Sequence, residues 1–226
     1  MDVYLPIMGL ASFSAGAIIL REQLERRRCR ALEREARQLG FSFMRVAEPF
    51  EASAISELAV CPQESSCIET EVEELIQGMI SGRQVFVFNL RAHSSFGEGS
   101  TVTTFAAFQS SGFLLPAFQV RAKTILDRCW GWLEQNPADF APDFTKRFLL
   151  RCPDDGKRRE FFTLDKQVYL RQLPDHFQIR SGANWLLIFR PGGIVSPSNL
   201  RQFVRVTSTI AFGLLDPETQ ARLSTG

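Results

Sequence analysis

The hydrophobic and polar positions divide the chain into an apolar start, a charged stretch and a long mixed remainder. No charged residue occurs from Val3 to Leu20, whereas Arg, Glu, Leu, Ala and Gln dominate residues 21–39. As a helix, the apolar run would be about 27 Å long, close to the ~30 Å hydrocarbon core of a bilayer. The pattern predicts a transmembrane anchor at residues 1–20 and a charged juxtamembrane helix at residues 21–40, with Gly40 as its terminator.

The order of charges around the apolar run predicts its orientation. Asp2 is the only charged residue before the run, and seven arginines follow it: Arg21, Arg26, Arg27, Arg28, Arg30, Arg34 and Arg37. Cytoplasmic flanks carry an excess of Lys and Arg, so the N-terminus is predicted outside and residues 41–226 in the cytoplasm. The predicted cytoplasmic-side basic flank is Arg21, Arg26, Arg27, Arg28 and Arg30. The predicted location is the plasma (inner) membrane or another bacterial energy-converting membrane, crossed once.

Two alternatives to an anchor stay open. The stretch Ala15-Gly16-Ala17 imitates the cleavage site of a secretory signal, although such signals carry their basic residues before the apolar run. A helix buried in a soluble core, or against a partner, could show the same diluted hydrophobicity. The arginine-rich helix could be a solvated stalk with ion pairs one turn apart, or it could lie on anionic headgroups.

Three small residues of the apolar run, Gly9, Ser12 and Gly16, recur three and four positions apart. Such residues would share one face of a helix, and small side chains let membrane helices approach closely. The spacing predicts packing against another membrane helix, which belongs either to a partner protein or to a second copy. Chance placement in a short span would give the same pattern.

The remainder of the chain alternates between strand-like and helix-like patterns. Predicted strands are residues 41–46, a hairpin within 72–92 that turns at Ser81-Gly82, 101–109, 113–121, 145–152, and a pair at 177–182 and 184–190. Predicted helices are residues 49–60, 123–134, 153–173 with Asp154 or Asp155 as its cap, and a last helix that Ser196 caps and Pro197 opens. Strands and helices do not alternate regularly. The chain is therefore predicted to be α+β, with a mainly antiparallel sheet and helices packed on one face.

Composition adds limits to this picture. A chain of 226 residues that is 45% hydrophobic can build a core without disulfides or metals. A net charge of +1 gives no overall field that favours nucleic acid, so no nucleic-acid partner is predicted. None of the five cysteines is paired at the two-residue spacing of zinc or redox motifs, which is typical of free thiols in a reducing compartment. Cys61 and Cys67 are the only close pair, and a redox or metal role for that pair is the alternative.

A search for chemistry finds no catalytic, cofactor-binding or metal-ligating residues. His93 and His176 have no second ligand at metal-site spacing, and His93 beside Ser94 lacks the third group of a triad. The loop FGEGS lacks the Gly-Lys-Ser/Thr ending of a phosphate loop. The acidic run from Glu69 to Glu74 is typical of a solvated segment. The cations 157–159 are expected to face solvent or to pair with Glu160 or an acidic partner.

Five stretches carry a resemblance: LGFSF at 39–43, QVFVFNL at 84–90, LLPAFQVR at 114–121, DFTKRFLLR at 143–151 and WLLIFRPGG at 185–193. In this layout the chain resembles a family of small, uncharacterised bacterial proteins with a membrane anchor and a Phe-rich α+β domain. The resemblance covers about residues 20–215. It implies no catalytic residue, because proteins of this type have no established activity.

Two functions from different classes are compatible with the sequence. The first is a membrane-tethered, non-catalytic interaction protein, such as an accessory subunit of a membrane complex, with the lipid bilayer and a membrane protein or a second copy as partners. The alternative is an enzyme or a lipid- or small-ligand-binding domain whose site is assembled from scattered residues. A deep Phe-lined pocket would favour the alternative, and a flat exposed apolar patch would favour the first. Because every chemical motif is incomplete, the first function is predicted.

Overall fold

The described part of the chain is an α+β fold built on one antiparallel sheet. The computed structural model describes residues 4–46, 70–93, 100–110, 114–124, 140–182 and 184–215, and in the first range the side chains of residues 20–45. In chain order the elements are α1 (Tyr4–Gln38), β1 (Ser42–Val46), β2 (Thr70–Ile80), β3 (Arg83–His93), β4 (Ser100–Gln109), β5 (Phe118–Ala122), α2 (Pro142–Arg147), β6 (Phe148–Arg151), α3 (Asp155–Phe161), α4 (Leu164–Arg171), β7 (Gln178–Gly182), β8 (Trp185–Phe189), a 3₁₀ turn (Pro197–Asn199) and α5 (Leu200–Leu215).

Within those residues the strands form a sheet of eight, in the order β1-β2-β3-β4-β8-β7-β5-β6, and every neighbouring pair is antiparallel. The β2–β3 hairpin turns at Ser81 and Gly82, whose φ angles are 50° and 78°. Two successive positive φ angles belong to a type I′ turn, whose twist matches that of the flanking strands. The predicted hairpins at Ser81-Gly82 and at 177–190 are confirmed.

The sheet buries its two faces in different ways. One face packs against the helices, and its cluster includes Leu32 and Ala36 of α1 together with Leu200 and Leu214 of α5. The other face of β2, β3, β4 and β8 carries a second cluster to which, among the described residues, only strands contribute: Val72, Leu75, Phe86, Phe88, Leu90, Phe105, Ala107, Leu187 and Phe189. The prediction of a mainly antiparallel sheet with helices on one face is therefore confirmed for the described residues.

Helix α1 ends as predicted at Gly40. The φ angle of Gly40 is 77°, a left-handed conformation that glycine adopts at low cost. The N–H of Gly40 donates to the carbonyl of Arg37 (3.0 Å), and the N–H of Phe41 donates to that of Ala36 (2.9 Å). The ring of Phe41 then lies directly over Gly78 of β2, where a Cβ atom would be only 2.0 Å from the ring. The end of α1 is thus fixed to the sheet.

Four predicted elements differ from the structure, two of them within residues 145–173. The strand predicted at 145–152 begins only at Phe148, because Pro142 opens a short helix with its fixed φ and that helix runs to Arg147. The single helix predicted at 153–173 is two helices. It begins as expected, with the Asp154 carboxylate accepting from the N–H of Lys157 (3.0 Å), but breaks where Thr163 adopts an extended conformation.

The last helix begins differently from the prediction. Ser196 makes no side-chain capping bond, and a 3₁₀ turn precedes α5. In the stretch 113–121, strand β5 starts only at Phe118, beyond Pro116. The predicted helices at 49–60 and 123–134 and the loop at 94–99 lie outside the described residues.

Candidate functional site

Within the part of α1 whose side chains are described, residues 20–38, the packing on the domain begins near Arg28. The side chains of residues 20–27 are all exposed, and Leu20 and Leu24 are 59% and 55% exposed. One turn later the helix meets the sheet, and Leu32 is 4% exposed. Residues 20–27 of the helix therefore project from the domain, and the place where they leave it is a cluster of polar side chains.

We call this cluster the helix–sheet junction and define it by Arg28 and Cys29 of α1, Glu74 of β2, Asn89 of β3 and Thr104 of β4. Arg28 Nη2 lies 3.0 Å from Glu74 Oε2, with side chains 27% and 13% exposed. Asn89 Nδ2 donates to the same carboxylate oxygen (2.5 Å), and Thr104 Oγ1 donates to Asn89 Oδ1 (2.6 Å). The junction is a chain of bonds from α1 across three strands.

The same chain continues into the loop after β8. Thr104 Oγ1 accepts from the N–H of Val195 (2.9 Å), and the Thr104 N–H donates to the carbonyl of Gly193 (3.1 Å). Arg28 Nη2 also donates to the carbonyl of Val195 (3.4 Å). Since the loop leads directly into α5, the junction holds both of the long described helices in place.

The backbone at Glu74 makes the junction possible. Glu74 has a φ of 50°, and the β2–β3 register shifts between Glu73 and Ile76, which is a β-bulge. A bulge inserts one residue and re-aims the side chains around it. Here both adjacent glutamates bond on the helix side of the sheet: Glu73 to Arg91 Nε (2.9 Å), and Glu74 to Arg28. A regular strand would have sent one of them to the other face.

Cys29 is held as a neutral thiol. Its Sγ donates to Glu74 Oε1 at 3.5 Å. Burial raises the pKa of the Cys29 thiol above its ordinary value of about 9, and the negative charge and hydrogen bond of Glu74 raise it further. The thiolate is the nucleophilic and metal-binding form, so this environment opposes both roles at neutral pH.

The junction encloses very little space. Its small cleft has a volume at the lower limit for a single water molecule, and its lining includes Arg28, Glu74, Asn89 and Thr104 of the junction together with Leu32, Ile76, Val87 and Leu200. An organic substrate does not fit there. Within the described ranges, no three His, Cys, Asp or Glu side chains are grouped so that they could hold a metal ion. What the junction shows is a set of hydrogen bonds and an ion pair that connect α1 to β2, β3 and β4.

The predicted basic flank divides into three groups. Arg21 and Arg26 are exposed and pair within the helix, with Glu25 (3.0 Å) and Glu22 (2.6 Å). Arg28 turns into the junction, away from solvent. Arg27 and Arg30 are exposed, and neither forms an ion pair with any residue in the part of the chain described. The flank is thus not one uniform surface.

The backbone of positions 9, 12 and 16 is helical, but the side chains of the predicted small-residue face lie outside the described residues. Among the residues that the structure describes, no helix is both long enough and apolar enough to cross a membrane. The transmembrane helix expected at residues 1–20 stays a prediction. Cys61 and Cys67 also lie outside the described residues.

Two expectations about charged residues are wrong. Glu73 and Glu74 were expected in a solvated acidic segment, but the bulge turns both toward arginines on the helix side. Arg158 was expected to face solvent or to pair with Glu160 or an acidic partner, but it is buried and pairs with Asp155 of its own helix. His93 lies exposed at the end of β3.

Sequence reasoning missed Glu74, Asn89 and Thr104 as members of one site. Two signals were present. The run Val72-Glu73-Glu74-Leu75 breaks strand alternation as a bulge does, and Asn89 is a polar residue inside the apolar run VFVFNL. Neither signal identifies Arg28 as the ion-pair partner of Glu74, because Arg28 lies 46 positions earlier in the chain.

Comparison with known proteins yields a likeness of fold. No family model and no curated protein matches the chain. Among solved structures, it is similar to the mycobacterial trehalose monomycolate transport factor A, TtfA, with a TM-score of 0.55, 14% sequence identity, and coverage of 82% of this chain and 93% of that chain. The resemblance to small membrane-anchored bacterial proteins stays a prediction. At this identity the likeness shows the fold alone, and the chain shares its α+β architecture with that transport factor.

Proposed function

We propose that the protein is a membrane-tethered, non-catalytic accessory protein of a membrane complex, with its α+β domain on the cytoplasmic side. One observation carries the proposal. A single helix, α1, runs from the apolar N-terminal segment into the core of the domain, where the junction and the buried Leu32 and Ala36 hold it. An apolar segment attached in this way would set the position of the domain beside a bilayer, as a flexible linker could not.

Two further features support the tether. The uncharged run at residues 3–20, almost all of whose side chains lie outside the described residues, has a length suited to a bilayer, and the arginines follow it rather than precede it. The protein of similar fold is a transport factor, and an accessory role in membrane transport is compatible with that likeness. The near absence of space at the junction favours a connecting role there over a catalytic one.

Fractionation of cells that produce the full chain tests the tether. The wild-type chain should sediment with membranes, resist extraction by alkaline carbonate and dissolve in detergent. A matched variant that lacks residues 2–20 removes no described side-chain contact, so it should fold and appear in the soluble fraction. A wild-type chain in the soluble fraction would contradict the proposal.

Orientation needs a separate experiment. A reporter that is active only in the cytoplasm, fused after Gly226, should be active, and one that is active only outside should be silent. The opposite pair of results would reverse the proposed orientation and leave the tether itself unaffected.

A further inference from the structure

One face of α1 carries arginines to which the described residues supply no acidic partner. Arg27, Arg30 and Arg34 are exposed, and none of them forms an ion pair or hydrogen bond with a residue of the described part. The other four arginines of the helix are paired: Arg21 with Glu25, Arg26 with Glu22, Arg28 with Glu74 and Arg37 with Glu33. We call Arg27, Arg30 and Arg34 the arginine stripe.

The stripe is continuous and faces away from the domain. Positions 27, 30 and 34 follow one another at intervals of three and four, so at ~3.6 residues per turn they share one face. That face is roughly opposite to Leu32 and Ala36, which pack on the sheet. Like charges at this spacing destabilise a helix by a few tenths of a kcal/mol per pair. An opposite charge brought from outside would remove that cost.

We propose that the arginine stripe is a docking surface for an acidic helix of a partner membrane protein, which runs beside α1 as it leaves the bilayer. This inference rests on the proposed function and names the surface that the partner uses. Guanidinium groups bind carboxylates with two parallel hydrogen bonds, and glutamates three and four apart on a neighbouring helix match the stripe. The exposed Leu20 and Leu24 lie beside the stripe and supply apolar contact.

Anionic lipid headgroups fit the stripe less well. The headgroup layer extends about 5–8 Å beyond the hydrocarbon, and charge interactions are screened over about 8 Å. At about 1.5 Å per residue, Arg34 lies about 21 Å past Leu20, where the apolar run ends. A helix tilted by about 40° would still hold it about 16 Å away. Lipids could therefore reach the near end of the stripe but not its far end.

The test uses the full chain in native membranes. A photo-crosslinking side chain replaces Gln23, which is exposed on the same face and leaves every arginine in place. A second chain carries the crosslinker at Gln202, an exposed position of α5, as a site control. Position 23 should give a crosslinked protein whose attached segment carries acidic residues at helical spacing, and position 202 should not give that product.

Two triple variants then test the charges. Arg27→Gln, Arg30→Gln and Arg34→Gln together should lower the crosslink yield about tenfold, since three partly exposed ion pairs contribute a few tenths to one kcal/mol each. The matched control, Arg21→Gln, Arg26→Gln and Arg37→Gln, removes the same charge from the same helix and should change the yield less than about twofold. Arg→Glu at the stripe should abolish the product, and Glu→Lys in the identified partner segment should restore it.

Several results would overturn the proposal: crosslinks to lipid alone, a partner segment without acidic residues, equal loss in both triple variants, or no loss in the stripe variant. All of these leave the chain in the membrane fraction. Loss of the chain from that fraction would instead contradict the proposed function, so the two failures are distinguishable.

Discussion

The part of helix α1 whose side chains are described divides at Arg28 into a first and a second half, which have similar compositions and different surroundings. Residues 21–27 and 28–39 are both rich in Arg and Glu. In the first half the pair Arg26–Glu22 has side chains 57% and 54% exposed, whereas in the second Arg28 reaches across to Glu74 of β2. Charge pattern alone therefore does not decide which part of a helix joins a domain. The second half packs on the domain because Leu32 and Ala36 are apolar and because the sheet provides Glu74 as the acceptor for Arg28.

The largest expected difference between the halves is in apolar contact. Leu32→Ala should lower the free energy of unfolding by about 2–4 kcal/mol, because it leaves a cavity between α1 and the sheet. Leu24→Ala, its exposed counterpart in the first half, should change it by less than about 0.5 kcal/mol. Urea denaturation of the detergent-solubilised full chain measures both. Equal losses would show that the first half is also packed.

Breaking an ion pair should produce a smaller difference between the two halves in the free energy of unfolding. Glu74→Gln leaves the charge of Arg28 half-buried without its carboxylate, which should lower the free energy of unfolding by about 1–3 kcal/mol. Glu22→Gln breaks an exposed pair within one helix and should cost at most about 0.5 kcal/mol. Denaturation in low and high salt measures this contrast. Salt should weaken the exposed pair more, and the reverse order would contradict the assignment of the junction.

The role of the C-terminal cap of α1 in stability can be tested by substitution of Gly40. A Cβ atom there would meet nothing within 4 Å, so Gly40→Ala reports only the cost of a left-handed φ. The free energy of unfolding should fall by about 1 kcal/mol. Gly156→Ala, at a helical position without a positive φ, serves as the control and should cost nothing measurable. A neutral Gly40→Ala would mean that the cap does not fix the helix end.

The smallest expected effect is on the reactivity of Cys29. In a chain whose other four cysteines are Ser, alkylation of Cys29 at pH 8 should be slower than in the urea-unfolded chain, because its pKa is raised in the fold. Glu74→Gln should speed the reaction by removing a nearby negative charge. Alkylation rates from pH 7 to 10 give the pKa directly, and a folded value below the unfolded one would contradict the junction geometry.

The same shift predicts the sign of a pH effect on stability. Since the pKa of Cys29 is higher in the folded state, the unfolded chain loses the thiol proton first as pH rises. The contribution of Cys29 is complete below the ordinary thiol pKa of about 9 and is lost as pH rises above it. Unfolding of wild type and Cys29→Ser at pH 8 and pH 10 measures the difference.

Structural features that depend on a few neighbouring residues were mostly predicted correctly from the sequence. The hairpin at Ser81-Gly82 and the stop at Gly40 depend on residues within a few positions, and both were confirmed. The break at Thr163 could not be predicted in this way, because the side-chain Nε2 of Gln167 donates to the carbonyl of Phe162 (3.1 Å), at the end of α3, from inside the fold. The helix–sheet junction could not be predicted from local patterns either, because Arg28, Glu74 and Thr104 come together only after the sheet has formed.

The bulge at Glu74 also has a mechanical consequence. Helix α1 extends about 36 Å from Arg28 back to Tyr4, at about 1.5 Å per residue. A straight helix of this length would move as a rigid arm that pivots at the junction. A rotation of about 10° there would carry the far end sideways by about 6 Å, more than half the width of a helix. Since the bulge in β2 places the carboxylate that Arg28 meets, small changes at Glu74 should be magnified at the N-terminal end of the helix.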